Sequence, residues 1–146
     1  MEAVIFIGMQ AAGKSTFYAQ RFFHSHLRIN LDMLKTRHRE KTLLAACLAI
    51  GQPLVVDNTN LTVAARQPYV AAARSAGFRV VGYYFQSQVA ACLARNAERP
   101  ESRRVPDKAI YGASARLELP SPAEGFAELW YVRVDGQRGF TVEEFR

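Results

Sequence analysis

An apolar run, "AVIFI" at positions 3–7, leads directly into "GMQAAGKST" at positions 8–16, and a segment of helical period follows. The second stretch fits the pattern Gly-x-x-x-x-Gly-Lys-Ser/Thr without a gap. A strand, a glycine turn and a helix in that order are the setting in which this pattern forms a loop around phosphate groups. This feature restricts the fold most, because it predicts an α/β domain that begins with a buried strand.

The residues of this loop predict its chemistry. Gly8 and Gly13 allow the backbone to wrap closely around phosphate oxygens, with successive N–H groups at the positive end of a helix dipole. We expect Lys14 to reach the β- and γ-phosphates of ATP and the Ser15 hydroxyl to ligate Mg²⁺. The alternative is a glycine turn with an incidental lysine, which the flanking strand and helix disfavour. The predicted nucleotide-binding residues of the loop are Gly8, Met9, Gln10, Ala11, Ala12, Gly13, Lys14, Ser15 and Thr16.

The rest of the chain alternates between apolar runs of strand length and longer segments of helical period, which is typical of a parallel sheet covered by helices. Gly51 and Gly77 are expected to end helices in the left-handed conformation, and Pro68 to kink its helix or delay its start. Asp135-Gly136 indicates a hairpin at the sheet edge. We predict an α/β fold of the P-loop NTPase type, with a central, mostly parallel five-stranded sheet flanked by helices. The predicted strands are 3–7, 27–30, 53–57, 79–85 and 129–134, and the predicted helices lie near 14–25, 36–50, 62–76, 88–98 and 106–117.

Composition limits the class of protein. The 146 residues fit one domain, and the 49% apolar and 22% charged residues exclude a disordered or fibrous chain. Cys47 and Cys92 lack metal-ligand spacing, so we expect reduced cysteines in the core of a cytosolic protein. Because no apolar run has the length of a membrane span and no leader is recognisable, we expect a cytoplasmic protein with no membrane partner. The net charge of +6 weakly favours an anionic partner such as nucleic acid.

Asp32 lies just past the second predicted strand, at the sheet edge where ligands collect in open α/β folds. An ionised carboxylate at this position can orient an attacking hydroxyl and accept its proton late in the transfer. We therefore predict Asp32 as the catalytic base and as a substrate contact. The alternative is a helix N-cap ahead of "MLKTRHRE", and both roles can coexist.

The third predicted strand ends in "VVDNTN" at positions 55–60. In a doubly wound sheet this strand commonly lies beside the one that carries the phosphate loop, so we expect Asp57 to face the Mg²⁺ and its waters. Asn58 is expected either to contact the acceptor or to hold the region of Asp32. A polar turn capped by Asn60 or Thr62 is the alternative, above all for Thr59 and Asn60.

Arg95 and Arg99 are four residues apart, so they share one face if the helix reaches both. Guanidinium groups neutralise the charge on phosphoryl oxygens, and we predict that both arginines contact the phosphates, with Arg99 also catalytic. The polar, basic segment "RPESRRVPDKA" that begins at Arg99 indicates a mobile excursion, so we predict a lid over residues 95–117. A solvated basic helix end is the alternative.

Taken in order, "GMQAAGKST", "INLD", "VVDNTN", "RNAER" with a following "VP", and P-x-E-G-F at 122–126 resemble the kinase domain of the 5′-polynucleotide kinase family. The resemblance extends over residues 3–134 and is specific in the combination of motifs. It implies transfer of the ATP γ-phosphate to a 5′-hydroxyl of DNA or RNA. It also implies that Asp32 is the general base, that Lys14 and Ser15 handle the phosphates and Mg²⁺, and that Arg95 and Arg99 are lid arginines.

The sequence departs from this family on the acceptor side. Three residues after the base carboxylate the family usually has an arginine that grips an acceptor phosphate, and here that position is Lys35, which lacks the bidentate fork. Lys35 is nevertheless predicted as a substrate contact. Phosphatase and ligase signatures are not recognisable, so we expect residues 1–146 to form one stand-alone kinase domain without an obligate protein partner.

Two other functions remain open from the sequence. The nearest keeps the kinase chemistry but uses a small acceptor, such as a nucleoside, a sugar, an antibiotic or a nucleotide-sugar, and Lys35 slightly favours it. The second is a regulatory ATPase or nucleotide-binding module without a phosphoryl acceptor, which would leave Asp32 and the paired arginines with weaker reasons for their positions.

Overall fold

The computed structural model describes residues 1–136 and 139–146 and forms a six-stranded sheet with helices on both faces. The strand order is β2-β3-β1-β4-β5-β6, in which the first five strands are parallel and β6 is antiparallel to β5. The strands are β1 (Glu2–Ile7), β2 (Leu27–Ile29), β3 (Leu54–Val56), β4 (Arg79–Phe85), β5 (Glu128–Asp135) and β6 (Gly139–Glu144).

Six α-helices connect these strands within the described residues, together with two 3-10 turns at Glu101–Arg103 and Pro122–Glu124. The five predicted helices and the five predicted parallel strands are present, and a short extra helix follows β2. The helices are α1 (Lys14–Arg21), α2 (Leu31–Leu34), α3 (Arg37–Ile50), α4 (Val63–Ser75), α5 (Val89–Glu98) and α6 (Asp107–Arg116).

The central strand β1 supplies both halves of the core. Its side chains alternate between the two faces of the sheet, as the pleat of a strand requires. Ile5 and Ile7 pack with residues of α3 and α4 on one face, whereas Val4 and Phe6 pack with α1, α5 and α6 on the other. Because both faces are covered, β1 is apolar from Ala3 to Ile7 without alternation in its sequence.

The local signals of the sequence agree with the structure at most positions. Gly51 and Gly77 have φ angles of 74° and 80°, as predicted for residues that follow helices. The predicted edge hairpin is the β5–β6 pair, and residues 137 and 138 of its connection lie outside the described residues. Pro68 does not delay the start of α4, because Thr62 caps the helix at Val63 by accepting a hydrogen bond from Ala65 N.

Cys47 and Cys92 are buried free thiols, as expected for small core residues. Among residues 1–136 and 139–146, no helix is both long and apolar enough to cross a bilayer.

A fully buried arginine joins α4 to the segment before β5. Arg66 donates from Nε to Glu124 Oε1 at 2.8 Å and from Nη2 to Glu124 Oε2 at 3.1 Å. Its Nη1 donates to the carbonyl oxygens of Asn60 and Glu118. The exposed fraction of Arg66 is 0%, so the bidentate carboxylate supplies the counter-charge that a buried guanidinium requires. The hydrogen bond from Arg66 to Asn60 O also holds the loop that follows β3.

Replacing Glu124 by Ala tests the energetic weight of this pair. The variant leaves the Arg66 guanidinium in the interior without its carboxylate, and we expect the free energy of unfolding to fall by about 3–5 kcal/mol. Urea denaturation followed by circular dichroism measures the change. The control is Glu143→Ala, which breaks an exposed ion pair with Arg133 and should cost much less. Equal losses in the two variants would contradict the role given to Glu124.

Candidate functional site

The loop between β1 and α1 has the backbone geometry that its glycines predict. Gly13 has a φ of 100°, and a Cβ atom there would lie 3.0 Å from the Phe140 ring. A Cβ atom at Gly8 would lie 3.0 Å from Phe85 Cβ. Ala11 adopts a left-handed φ of 62°, at a position where many such loops have glycine. A larger residue at Gly8 or Gly13 would therefore require the neighbouring side chains to shift by a few tenths of an ångström, and at Gly13 it would also have to adopt a positive φ.

Contacts from three other segments hold this loop. Gly8 N donates to Thr59 O at 2.9 Å, which ties the loop to the end of β3. Met9 N donates to the hydroxyl of Ser87, at the end of β4. Arg95 donates from Nε to Ala11 O at 2.6 Å. The loop is therefore fixed at its first, second and fourth positions before any ligand is bound.

Lys14 is buried and folds back over the loop. Its Nζ donates to the carbonyl oxygens of Gly8 at 2.8 Å and Met9 at 2.7 Å. Burial lowers the pKa of the Lys14 ammonium to about 8, although the carboxylate of Asp57 acts in the opposite direction. The ammonium is therefore held against the backbone of the loop at Gly8 and Met9, where phosphate oxygens are expected.

Ser15 and Asp57 meet as the sequence predicts. β3 pairs directly with β1, with Ile5 opposite Val56, so Asp57 follows its strand beside the loop. Ser15 Oγ donates to Asp57 Oδ2 at 3.1 Å, and the exposed fraction of the Asp57 side chain is 2%. A hydroxyl and a carboxylate are the oxygen donors that Mg²⁺ accepts beside phosphate oxygens, so this pair fits the metal.

Both predicted metal ligands also contact an arginine. Arg28 of β2 donates from Nε to Asp57 Oδ2 at 2.9 Å and from Nη2 to Ser15 Oγ at 3.0 Å. No local pattern in the sequence predicts this contact, because an arginine in an edge strand ordinarily faces solvent.

Asp32 lies in the short helix α2, exposed, on the wall of the cleft that also contains Lys14. The helix is capped by Asn30, whose Oδ1 accepts from Met33 N at 2.9 Å. The N-cap interpretation of Asp32 is therefore wrong, and its carboxylate faces the cleft without that task. Asn30 also donates from Nδ2 to Asp57 O, which links α2 to the predicted metal ligand.

The side chain of Asn58 holds the start of α2. Its Oδ1 accepts from Leu31 N at 2.9 Å, and its Nδ2 donates to Glu40 Oε2 at 2.9 Å. The buried Glu40 also accepts from the Tyr69 hydroxyl at 2.7 Å, and burial together with this carboxylate raises the pKa of Tyr69 to about 12. Of the two roles considered for Asn58, the structure displays the one that holds the region of Asp32. Its contact with substrate stays a prediction.

The two predicted lid arginines occupy different places. Helix α5 contains Arg95 but ends at Glu98, and Arg99 is the residue that follows. Arg99 lines the cleft, and its partial burial beside Arg103 lowers the pKa of its guanidinium. Arg95 instead supports the loop at Ala11, and it is not among the described residues that line the cleft.

The predicted lid segment has a packed base. Asn96 donates to Val105 O at 2.7 Å and accepts from Val105 N at 3.1 Å, which closes the connection between α5 and α6. Ile110 and Ala113 of α6 are fully buried in the core. The stretch before α6 and the outer face of α6 are exposed, and the motion of the segment stays a prediction.

One open cleft of about 1280 Å³ runs along the carboxyl edge of the sheet and continues between α3 and α4. It brings together most of the predicted site. Lys35 is exposed at the end of α2, with a φ of 75°, and lies outside the described residues that line the cleft. The predicted site residues that line the cleft are Gln10, Ala11, Lys14, Ser15, Asp32, Asp57, Asn58 and Arg99.

The sequence interpretation missed several charged side chains around this cleft. Two of them carry a recognisable signal. Arg66 shares a helix stripe with Tyr69, Val70 and Ala73, and Glu40 shares one with Leu44 and Cys47. A charge at the spacing of a buried helix face predicts a buried partner.

Comparison with known proteins identifies the family. The profile of the AAA_33 family, described as an AAA domain, matches residues 4–120, which is more than half of the chain. The chain belongs to this family. It is also 26% identical over 132 residues to a bifunctional polynucleotide phosphatase/kinase of Schizosaccharomyces pombe. That match covers 88% of this chain but 32% of the relative, so the chain spans about a third of the curated relative's length.

Solved structures share the fold of this AAA domain at low identity. Kti12 of Chaetomium thermophilum, in complex with ADP-AlF3, has a TM-score of 0.69 at 18% identity, with 92% of this chain and 90% of that chain covered. A gluconokinase of Sinorhizobium meliloti 1021 has a TM-score of 0.63 at 18% identity, with coverages of 94% and 85%. The predicted P-loop fold is therefore confirmed as a P-loop kinase-like domain with a mixed sheet of six strands.

The depressed pKa of Lys14 predicts a pH-dependent affinity for ADP. Bound phosphates favour the charged ammonium, so above pH 8 each binding event takes up a proton. The affinity for ADP should be constant below about pH 8. Above it, the affinity should fall by up to about tenfold per pH unit. Calorimetric titration of ADP from about pH 7 to about pH 9.5 measures this profile. Lys14→Met, which lacks the charge, should bind more weakly with a flat profile. An equally steep fall in this variant would contradict the assignment.

Proposed function

We propose that this protein is an ATP- and Mg²⁺-dependent phosphotransferase that acts on the 5′-hydroxyl end of DNA or RNA. One observation carries the proposal. A single cleft contains the phosphate-loop lysine Lys14, the oxygen pair of Ser15 and Asp57, and the free carboxylate of Asp32. A nucleotide-binding module needs the first three residues, whereas a carboxylate on the opposite wall is of use when an acceptor hydroxyl is present.

Each residue has a role in the proposed transfer. The loop N–H groups and Lys14 bind the β- and γ-phosphates, and Ser15 and Asp57 would hold Mg²⁺. The metal would neutralise charge on the phosphate oxygens. Asp32 orients the acceptor hydroxyl for in-line attack and takes its proton as the new O–P bond forms and the bond between the γ-phosphorus and the β,γ-bridging oxygen breaks, which releases ADP. Arg99 stabilises the charge that accumulates on the transferred phosphoryl group.

The charge of the cleft supports an anionic acceptor. Among the described residues, its lining contains six lysine and arginine side chains, against three of aspartate and glutamate. Basic residues stand on both walls, with Lys41 on α3 and Arg103 and Arg116 on the side of the predicted lid. A nucleic-acid end brings several phosphates into such a field, whereas a neutral sugar brings none. The similarity of this chain to a polynucleotide phosphatase/kinase supports the same acceptor.

A small acceptor is the second candidate. The exposure of Lys35 away from the cleft favours it, because the side chain expected to grip an acceptor phosphate is elsewhere. The fold shared with a gluconokinase is compatible with such a substrate. The roles of Lys14, Asp32 and Arg99 are the same in both candidate functions. The two candidates differ only in the acceptor.

Replacing Asp32 by Asn tests the proposed base. The variant keeps the shape of α2 and removes the proton acceptor, so phosphoryl transfer should fall by about 10²–10⁴-fold while ATP affinity changes little. Transfer from labelled ATP and calorimetric ATP binding measure the two effects. The control is Glu143→Gln, an exposed carboxylate of β6 outside the described residues that line the cleft, which should leave both unchanged. Full transfer activity of Asp32→Asn would overturn the mechanism.

An acceptor panel at two salt concentrations tests the substrate. We expect transfer to 5′-hydroxyl oligonucleotides, with a KM that rises steeply with salt because several phosphates must be neutralised. Gluconate, free nucleosides and other small hydroxyl compounds belong in the same panel. A salt-independent KM with a small acceptor, and no transfer to oligonucleotides, would favour the second candidate. ATP hydrolysis that no acceptor stimulates would favour a regulatory ATPase.

A further inference from the structure

Arg28 touches both residues that are proposed to hold the metal. Its Nε and Nη2 atoms donate to Asp57 Oδ2 at 2.9 Å and to Ser15 Oγ at 3.0 Å. These two oxygens are themselves 3.1 Å apart. The guanidinium therefore bridges the same pair of oxygen atoms that a divalent cation would share, and it carries positive charge at every ordinary pH.

The burial of the Asp57 carboxylate explains why a cation lies beside it. Asp57 is almost fully buried, and a buried carboxylate requires a counter-charge or hydrogen-bond donors. Arg28 supplies both in the nucleotide-free chain. The Tyr18 ring, 5.9 Å from the guanidinium carbon, flanks it on one side and adds a weak cation–π contact.

Two cations compete for these oxygens. Mg²⁺ binds oxygen at about 2.0–2.1 Å, so a metal on Ser15 would stand within a few ångströms of the guanidinium. Their charges repel each other, and the Arg28 N–H groups would point at ligands that the metal needs. Arg28 can leave, since it lies on the edge strand β2 and 26% of its side chain is exposed.

We propose that Arg28 is the resident cation of the metal site, and that the metal of a bound metal–nucleotide complex displaces it from Ser15 and Asp57. This inference rests on the proposed function for the identity of the metal ligands. Arg28 is then a specificity-determining residue, because it keeps free divalent cations out of the site. The phosphates of the nucleotide add the negative charge that makes the exchange favourable.

Mn²⁺ binding to the nucleotide-free protein tests this directly, with the paramagnetic resonance signal of free Mn²⁺ as the readout. Arg28→Gln should bind Mn²⁺ at least about tenfold more tightly than the unsubstituted chain, because the competing charge is removed. The matched control is Arg79→Gln, which removes an arginine of β4, three strands away from β2 and paired with Glu128, and should bind like the unsubstituted chain. Adding Asp57→Asn to Arg28→Gln should abolish the gain. Equal Mn²⁺ affinity of Arg28→Gln and the unsubstituted chain would overturn the proposal.

A second measurement follows the unsubstituted chain and uses a conservative variant for the resonance assignment alone. The Nε–H resonance of Arg28, assigned by its loss in Arg28→Lys, should move to the position of a solvent-exposed arginine when ADP and Mg²⁺ saturate the protein. With ADP and excess chelator it should stay in place. A resonance that does not move with ADP and Mg²⁺ would contradict the displacement. Neither readout needs an acceptor, so absence of phosphoryl transfer would refute the proposed function and leave this test standing.

Discussion

The site depends on the parallel pairing of β1 with β3. With Ile5 opposite Val56, β3 ends two residues before β1 does, so the turn that begins at Asp57 runs beside the end of β1 and the phosphate loop. The hydrogen bond from Gly8 N to Thr59 O fixes this juxtaposition in the backbone. A shift of the pairing would turn the buried side chains of β1 out of their layers, so the core that stabilises the fold also sets the distance between Ser15 and Asp57.

The sequence predicted the parts of this arrangement that depend on local pattern. The apolar runs predicted the strands, and the glycines predicted the loop. The position of Asp57 directly after a strand predicted that this residue lies at the edge of the sheet. That Asn58 holds the region of Asp32 was one of its two predicted roles, whereas Arg28 as the counter-charge of Asp57 was not predicted. Arg28 binds Asp57 because strands distant in sequence become neighbours, and no spacing within one segment encodes such a choice.

Asn58 illustrates the difference between a place at the site and a contact with substrate. The pattern placed it at the cleft, where it lies. Its amide oxygen and nitrogen are engaged by Leu31 N and Glu40, so its first effect is on the position of α2 and therefore of Asp32. The network through Glu40 and Tyr69 connects this helix to α3 and α4. Hydrogen bonds through Asn58, Glu40 and Tyr69 thus hold the wall of the cleft that α2 forms, whereas Asp32 itself is exposed.

The buried charges of the chain fall into two groups according to what holds them. Arg66 is fully buried and is bound by two carboxylate oxygens and two carbonyl oxygens of the protein, so its donors are already satisfied without a ligand. Lys14 is held by the carbonyls of its own loop, and Asp57 by a partly exposed arginine. A phosphate can offer Lys14 a full negative charge in place of two dipoles, and a divalent cation can offer Asp57 twice the charge of Arg28. Burial alone therefore does not distinguish a charged side chain with a structural role from one with a functional role. The distinction depends on whether a ligand can replace the groups that hold the charge.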